Sequence, residues 1–417
     1  MTTPQPAQQA PTSYPLHRIQ VVLFEGIHPR AAELFEAAGY SVRTVAGACD
    51  SAEALEQAAG AHIVGVRSRS RLTRDFFQQA RRLWAVGCFC IGTEQVDLDA
   101  AAARGVAVFN APFSNTRSVA ELTIAEVVAL SRRIFERSQL LHAGTWRKDA
   151  HGAHEVRGRT LGVVGYGRIG SQVSLLAEAL GMRVLYHDVA PVLPLGNARP
   201  AGSLEALLRD SDVVTLHVPG GPSTKGLIGA RQISQMRQGA LLINNARGDV
   251  VDLDALAQAL REGRLGGAAV DVFPNEPSSA GEPFDSPLRS LPNVVLTPHI
   301  GGSTQEAQQA IAEEVASKLV RFMNNGSTST AVNVPEVDLP QLAADRHRIL
   351  HFHRNVPGVL SALHRMIADL GVNVHAEALS SDPRHGYVIL DVDPTHGEAL
   401  KQGLRSIPET IRVRTLW

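Results

Sequence analysis

A chain of 417 residues with 44% hydrophobic content carries enough apolar material for two or three cores, because single cores stop growing near ~250–300 residues. The formal net charge of -1 leaves no global field to attract nucleic acid or an anionic membrane. No run of ~18 apolar residues is available to span a bilayer, so a soluble, cytoplasmic protein of several domains is expected.

In chain order, Met1 to Pro15 is rich in Gln, Pro, Thr and Ala and lacks the cationic start and apolar stretch of a secretory signal. A disordered tail is expected over 1–15. From Ile19 onward, β-branched runs alternate with helical patterns: Val21 to Phe24, Pro29 to Ala38, Val42 to Val45, Ala52 to Ala59, Ile63 to Val66, Leu83 to Val86 and Val106 to Phe109. That rhythm describes βα units on a parallel sheet. The segment Ser118 to Leu141 reads as one long helix, with Ser118 and Glu121 at capping-box spacing. The three cysteines, Cys49, Cys88 and Cys90, cannot all pair, and Cys88-Phe89-Cys90 lacks metal-site spacing. Reduced, buried thiols and no metal site are expected.

The next stretch is the most informative. Gly165-Tyr166-Gly167-Arg168-Ile169-Gly170 follows the apolar run Leu161 to Val164, opens a helical pattern, and is answered by Asp188 after a second apolar run. Gly165 permits a tight turn, Gly167 lets backbone approach a pyrophosphate, and Gly170 allows close helix-to-strand packing. Asp188 would accept the ribose hydroxyls and repel the extra phosphate of NADP, which predicts NAD as cofactor. Further strands at Val184 to Tyr186, Val213 to Leu216, Leu241 to Ile243, Ala268 to Val272 and Val294 to Leu296 complete a doubly wound nucleotide-binding sheet. A long amphipathic helix, Gln305 to Met323, would return the chain to the first lobe, so the Rossmann-like domain is read as an insertion.

Asn325 to Ala344 has the polar, proline-interrupted character of a linker. Beyond it come strand Arg348 to Phe352, helix Pro357 to Leu370, strands Val372 to Leu379 and Tyr387 to Val392, helix Thr395 to Ser406 and strand Ile411 to Leu416. The order βαββαβ predicts a ferredoxin-like domain. The fold class expected is therefore α/β: a Rossmann-like NAD-binding domain, 115–301, inserted in a flavodoxin-like substrate domain, 16–114 and 302–335. A linker, 336–344, and a regulatory domain, 345–417, would follow.

Three polar residues sit just past strand ends, where doubly wound sheets place ligands. Arg247 follows Leu241 to Asn245, Glu276 follows Ala268 to Phe273, and His299 follows Val294 to Leu296. Oxidising a secondary alcohol beside a carboxylate needs a base for the hydroxyl proton, a cation for the carboxylate and a nicotinamide to take the hydride. His299 is the candidate base, Glu276 its tautomer-fixing partner, and Arg247 the planar fork for the carboxylate.

These motifs, with Asn245-Ala246-Arg247-Gly248, Asp271-Val272-Phe273-Pro274-Asn275-Glu276-Pro277 and Leu296-Thr297-Pro298-His299-Ile300-Gly301-Gly302, resemble the D-2-hydroxyacid dehydrogenases. Val86 to Thr93 and Phe109 to Ser118 are especially similar to the branch that acts on 3-phospho-D-glycerate, and the likeness covers nearly everything after the tail. The resemblance implies Arg247, Glu276 and His299 as the catalytic set. It implies Asp271 beside the nicotinamide, and Arg168, Ile169, Asn245, Ala246, Arg247, His299, Gly301 and Gly302 in the cofactor site. A phosphorylated substrate calls for cations, which the likeness assigns to Arg67 and Arg69, with Ser68 and Asn115 beside them and Lys148 reaching a neighbouring subunit's site. Trp146 is read as a packing or interface anchor.

The C-terminal unit resembles an ACT domain, which implies L-serine as effector, held by His353, Asn355 and Asn373 between two such domains, and a homotetramer. The relatives' Gly-Gly between catalytic and regulatory units stands here as Ala343-Ala344, and Arg354 and Val356 also depart from the family pattern. Together the likeness implies NAD-dependent oxidation of 3-phospho-D-glycerate to 3-phosphooxypyruvate, the first step of L-serine biosynthesis, under serine feedback. Two other readings fit the same residues: a dehydrogenase of another 2-hydroxy acid, such as glycerate or 2-hydroxyglutarate, and a nucleotide-sensing corepressor built on the same scaffold.

Overall fold

The computed structural model describes residues 14–277, 281–394 and 397–417. Apart from Tyr14 and Pro15, the expected tail lies outside the described residues, as do Thr395 and His396 at the expected start of the last helix. The chain divides into two compact units, one of residues up to Pro112 together with Gln308–Trp417, the other Phe113–Ala307.

The first unit opens with β1 (Gln20–Leu23), α1 (Arg30–Ala37), β2 (Ser41–Thr44), α2 (Ala52–Gly60), β3 (Ile63–Val66), α3 (Arg74–Gln79), β4 (Ala85–Cys88), α4 (Leu98–Ala103) and β5 (Ala107–Asn110). The strands pair in parallel in the order β2-β1-β3-β4-β5, the flavodoxin-like arrangement. Every residue of β3, β4 and β5 is buried, as a parallel sheet covered on both faces requires. Ser51 and Asp97 accept amide protons from Ala54 and Ala100 and so start α2 and α4. Helices α3 and α4 escape the sequence pattern because six residues each complete fewer than two turns of a 3.6-residue period.

The second unit comprises α5 (Thr116–Ser131), α6 (Ile134–His142), β6 (Thr160–Val164), α7 (Arg168–Ala179), β7 (Arg183–His187), β8 (Arg199–Pro200), α8 (Leu204–Asp210), β9 (Val213–Leu216), α9 (Ala230–Gln235), β10 (Ala240–Asn244), α10 (Leu253–Arg261), β11 (Leu265–Val270) and β12 (Val294–Leu296). Its seven strands run β12-β11-β10-β9-β6-β7-β8, all parallel, so the doubly wound reading holds. The single helix expected over Ser118 to Leu141 is instead two. Arg133 adopts a left-handed φ of 52° between α5 and α6, and its guanidinium turns onto Glu136. Nor is Ser118 a cap: α5 starts after Asn115, and the Ser118 hydroxyl donates to the Gly301 carbonyl at 2.6 Å.

Helix α11 (Gln305–Asn325) leads to the remainder of the first unit. Residues after it pack rather than dangle: Asn333 accepts from the Val108 amide at 2.8 Å and Val332 donates to the Val108 carbonyl, while Val334 and Val337 are buried. Then come β13 (His347–Arg354), α12 (Val359–Asp369), β14 (Val374–Ser381), β15 (His385–Val392), α13 (Gly397–Ser406) and β16 (Thr410–Leu416), an antiparallel sheet in the order β14-β15-β13-β16. This is the expected βαββαβ unit. Gly358, left-handed at φ 96°, precedes α12, so Pro357 lies outside the helix rather than in its first turn. One apolar face of the sheet, with Leu350, Phe352, Tyr387 and Ile389, joins Ile311, Val315 and Phe322 of α11 in a shared core.

Candidate active site

Beyond the C-terminal end of β12 the chain makes a sharp turn, and His299 sits in it with φ 55°. Histidine enters this left-handed region more readily than bulky or branched residues, and the turn is held by one buried carboxylate. Asp271, 1% exposed, accepts from the Thr297 hydroxyl at 2.6 Å, the Ile300 amide at 2.8 Å and the Gly301 amide at 2.8 Å. The His299 loop is therefore clamped on both sides of the imidazole. The imidazole Nδ1 lies 3.0 and 2.8 Å from the two oxygens of Glu276, whose Oε1 also accepts from the Phe273 amide at 3.1 Å. That contact leaves Nε2 for a substrate.

Arg247 follows β10. Its guanidinium donates to its own neighbour's carbonyl, Ala246, at 2.9 Å, and its aliphatic stem packs over Gly220, where a Cβ would come within 3.1 Å of Cγ. The next residue must be glycine: a Cβ on Gly248 would fall 2.1 Å from the Phe273 carbonyl carbon. Arg247 is near enough to act electrostatically on both members of the pair. The hydrogen bond to Glu276 raises the His299 pKa above its ordinary value, against burial and the Arg247 charge, which lower it. Burial pushes the Glu276 carboxyl up, but the His299 and Phe273 hydrogen bonds outweigh it and hold the group below the usual range.

Gly167 precedes the first turn of α7, and a Cβ there would meet nothing within 4 Å among the described residues, so the helix N-terminus is open at this point. Gly170 is the opposite: a Cβ would fall 2.2 Å from the Gly165 carbonyl oxygen. Gly165, at φ 89°, presses against the His217 carbonyl. Asp188 closes the turn by accepting from the amides of Tyr166 at 2.7 Å and Ala190 at 2.9 Å. The Arg168 guanidinium lies 3.8 Å over the Phe113 ring, and Ile169 packs into the core beside β6.

The profile for the NAD binding domain of D-isomer specific 2-hydroxyacid dehydrogenases matches residues 124–301, and that of the AHAS small subunit-like ACT domain matches residues 349–412. The D-3-phosphoglycerate dehydrogenase of Haemophilus influenzae is 52% identical over 401 residues, covering 96% of this chain and 98% of its own length. This chain belongs to the D-3-phosphoglycerate dehydrogenase family. The Saccharomyces cerevisiae D-3-phosphoglycerate dehydrogenase 1 is 44% identical, covering 96% of this chain and 88% of its own. The crystal structure of Aquifex aeolicus D-lactate dehydrogenase with NAD and lactic acid is 30% identical, with a TM-score of 0.63 over 72% of this chain and 95% of that one. As a member of the D-2-hydroxyacid dehydrogenases, the chain is an NAD-dependent oxidoreductase. The open N-terminus at Gly167, the glycines beneath it and the carboxylate of Asp188 fit NAD.

The other expected site residues are dispersed. Asn245 turns its amide inward, donating to Glu126 at 2.7 Å and to Thr123 at 3.0 Å, and Ala246 is buried beside it. Asn115 has a buried side-chain oxygen with no partner among the described residues, and its amide nitrogen would lie 2.7 Å from a Cβ on Gly302. Lys148 is exposed, in a loop that Arg137 grips through Asp149 at 2.9 and 2.6 Å. Arg67, Ser68 and Arg69 follow β3 in the first unit. His353 is buried at the end of β13, with Asn355 just after it donating to the Asp382 carbonyl at 2.7 Å. Asn373 stands elsewhere: its neighbour Val374 is level with His347, whereas His353 is level with Ser381. Within one chain Asn373 is thus separated from His353 and Asn355 by about 20 Å of strand.

Glu126 was missed. Burial pushes its carboxyl up to about 7, against the Asn245 hydrogen bond, with Asp271's charge adding to the rise. The signal was available as a lone acid in the apolar run Ile124 to Leu130.

The pair predicts a pH profile. A histidine acting as base must be neutral to accept a proton, so with His299 in that role kcat/KM for oxidation should fall as pH drops through its raised pKa. Glu276→Gln removes the raising partner, and the acid limb should move to lower pH while the maximal rate declines. A limb that stays in place in the variant would mean another group titrates.

Proposed function

We propose that this protein oxidises 3-phospho-D-glycerate to 3-phosphooxypyruvate with NAD, the first step of L-serine biosynthesis. The observation that carries the reading is the Glu276–His299 pair with Arg247 beside it. Curated D-3-phosphoglycerate dehydrogenases matching nearly the full chain support the substrate choice. Nε2 of His299 takes the hydroxyl proton as the carbonyl forms, while Glu276 holds the tautomer and stabilises the imidazolium. Arg247 holds the substrate carboxylate and polarises the developing carbonyl. Bound NAD supplies the hydride acceptor. Arg67 and Arg69 take the phosphate, with Ser68 and Asn115 beside the substrate, and Lys148 serves a neighbouring subunit's site.

The domains are proposed as 16–114 with 302–335 for substrate, 115–301 for NAD and 345–417 for regulation. A homotetramer in the cytoplasm is the proposed assembly. On and after α6, Ile134, Phe135, Leu141 and Trp146, the last 78% exposed, supply an apolar surface for one contact. β14 is an edge strand with alternating exposure, open to a second copy. Two copies joined there in opposite senses would set Asn373 of one near His353 and Asn355 of the other, which favours L-serine bound between ACT domains.

One assay tests the reading: NADH formation from 3-phospho-D-glycerate and from D-glycerate, each with and without L-serine. Arg69→Ala should raise KM for the phosphorylated substrate by tenfold or more and leave D-glycerate within twofold. Equal loss on both substrates would favour another 2-hydroxy acid. A rate unmoved by millimolar L-serine would remove the effector assignment.

A further inference from the structure

Glu25 is a carboxylate that the chemistry above does not use, yet it is buried, 5% exposed, and sits after β1 in a left-handed conformation with φ 63°. Glycine is the residue such a backbone favours, so a side chain retained there has work to do. Its two oxygens are spent on one short segment: the amides of Arg67, Arg69 and Ser70 donate to it at 3.1, 3.0 and 2.9 Å. Of the four amides from Arg67 to Ser70, only that of Ser68 is not taken by Glu25. The segment is fastened from other sides as well. Gln95 donates to the Arg67 carbonyl at 2.7 Å, and the Ser70 hydroxyl accepts from the Cys49 amide at 2.8 Å.

We infer that Glu25 is the positioning residue of the Arg67–Arg69 loop, shaping it from below so that both guanidinium groups face a phosphorylated substrate. This rests on reading that loop as the phosphate-binding element. Three amide donors nearly saturate the carboxylate, so it does not close a tight pair with the arginines. The Arg69 Nε stays 3.8 Å from Glu25 Oε2, with the Arg69 side chain 48% exposed. A buried anion beneath two cations offsets their mutual repulsion while leaving their donors to a dianion.

Steady-state kinetics on Glu25→Gln, Glu25→Asp and Arg69→Ala, with 3-phospho-D-glycerate and D-glycerate, test this. Glutamine turns one acceptor into a donor facing amide protons. Glu25→Gln should raise KM for the phosphorylated substrate about tenfold, with kcat within threefold and the KM values for NAD and D-glycerate within twofold. Aspartate keeps the charge and both acceptors, and Glu25→Asp should recover most of the lost affinity. Parallel loss on both substrates in both Glu25 variants would make the carboxylate a general support of the fold and overturn the proposal. If Arg69→Ala raises KM and Glu25→Gln does not, the positioning role falls and the phosphate reading stands. If Arg69→Ala changes nothing, the phosphate reading itself fails.

Discussion

Replacing His299 with alanine should lower kcat by about 10²–10⁴-fold, the usual contribution of a positioned general base. The large value follows from the geometry. Nδ1 is committed to both oxygens of Glu276 at 3.0 and 2.8 Å, so the ring has one orientation and one free nitrogen. The loop cannot swing a substitute into place, because Asp271 holds it at residues 297, 300 and 301. Glu276→Gln should cost less, since the imidazole remains. NAD binding, read by NADH fluorescence, should be little altered in the alanine variant because the helix N-terminus at Gly167 is untouched. A kcat within tenfold of the parent would remove His299 from the chemistry.

Arg348→Ala is the substitution expected to damage stability most, by roughly 3–5 kcal/mol, as when one partner of a buried pair is removed. Arg348 is 0% exposed and directly opposite Asp391 in the β13–β15 pairing. Its Nε and Nη2 donate to Asp391 at 2.6 and 2.8 Å, Nη2 also reaches the Pro340 carbonyl at 2.8 Å, and Nη1 reaches the Asn325 carbonyl at 3.1 Å and the Asn325 side-chain oxygen. All five guanidinium protons are used. Alanine would strand the Asp391 carboxylate and two backbone carbonyls. It would also remove the polar ties of the C-terminal sheet to the end of α11 and to the segment before β13, leaving its apolar contacts with α11. Thermal unfolding should show an early transition in the variant, and replacing both Arg348 and Asp391 with apolar residues should restore part of the loss. A midpoint unchanged by Arg348→Ala would show that water satisfies these groups.

The nucleotide cradle was legible because its parts are contiguous: Gly165 and Gly170 each meet a steric demand set by neighbouring backbone, while Gly167 stands at the open start of the helix. Arg247, Glu276 and His299 were legible as candidates because each ends a strand in a doubly wound sheet, where the ends converge. The break at Arg133 was not, since nothing nearby in sequence marks an arginine for a left-handed turn. Asp271 was expected beside the nicotinamide. Its hold on the His299 loop spans 26 to 30 positions and emerged only with the fold. The distance between Asn373 and His353 likewise depends on strand register, which no local pattern reports.

Read alone, the chain of residues settles what acts over a few positions: the alternation of strands and helices, the glycines of the phosphate turn, and the types of side chain available for acid–base work. Packing settles the rest, namely which carboxylate faces which donor, how the His299 ring is held, and how far apart in one chain His353 and Asn373 stand. The reason is that hydrogen bonds and charges act over a few ångströms of space, and the partners of Glu25, Asp271 and Arg348 become neighbours only after the sheets and helices have buried their apolar faces.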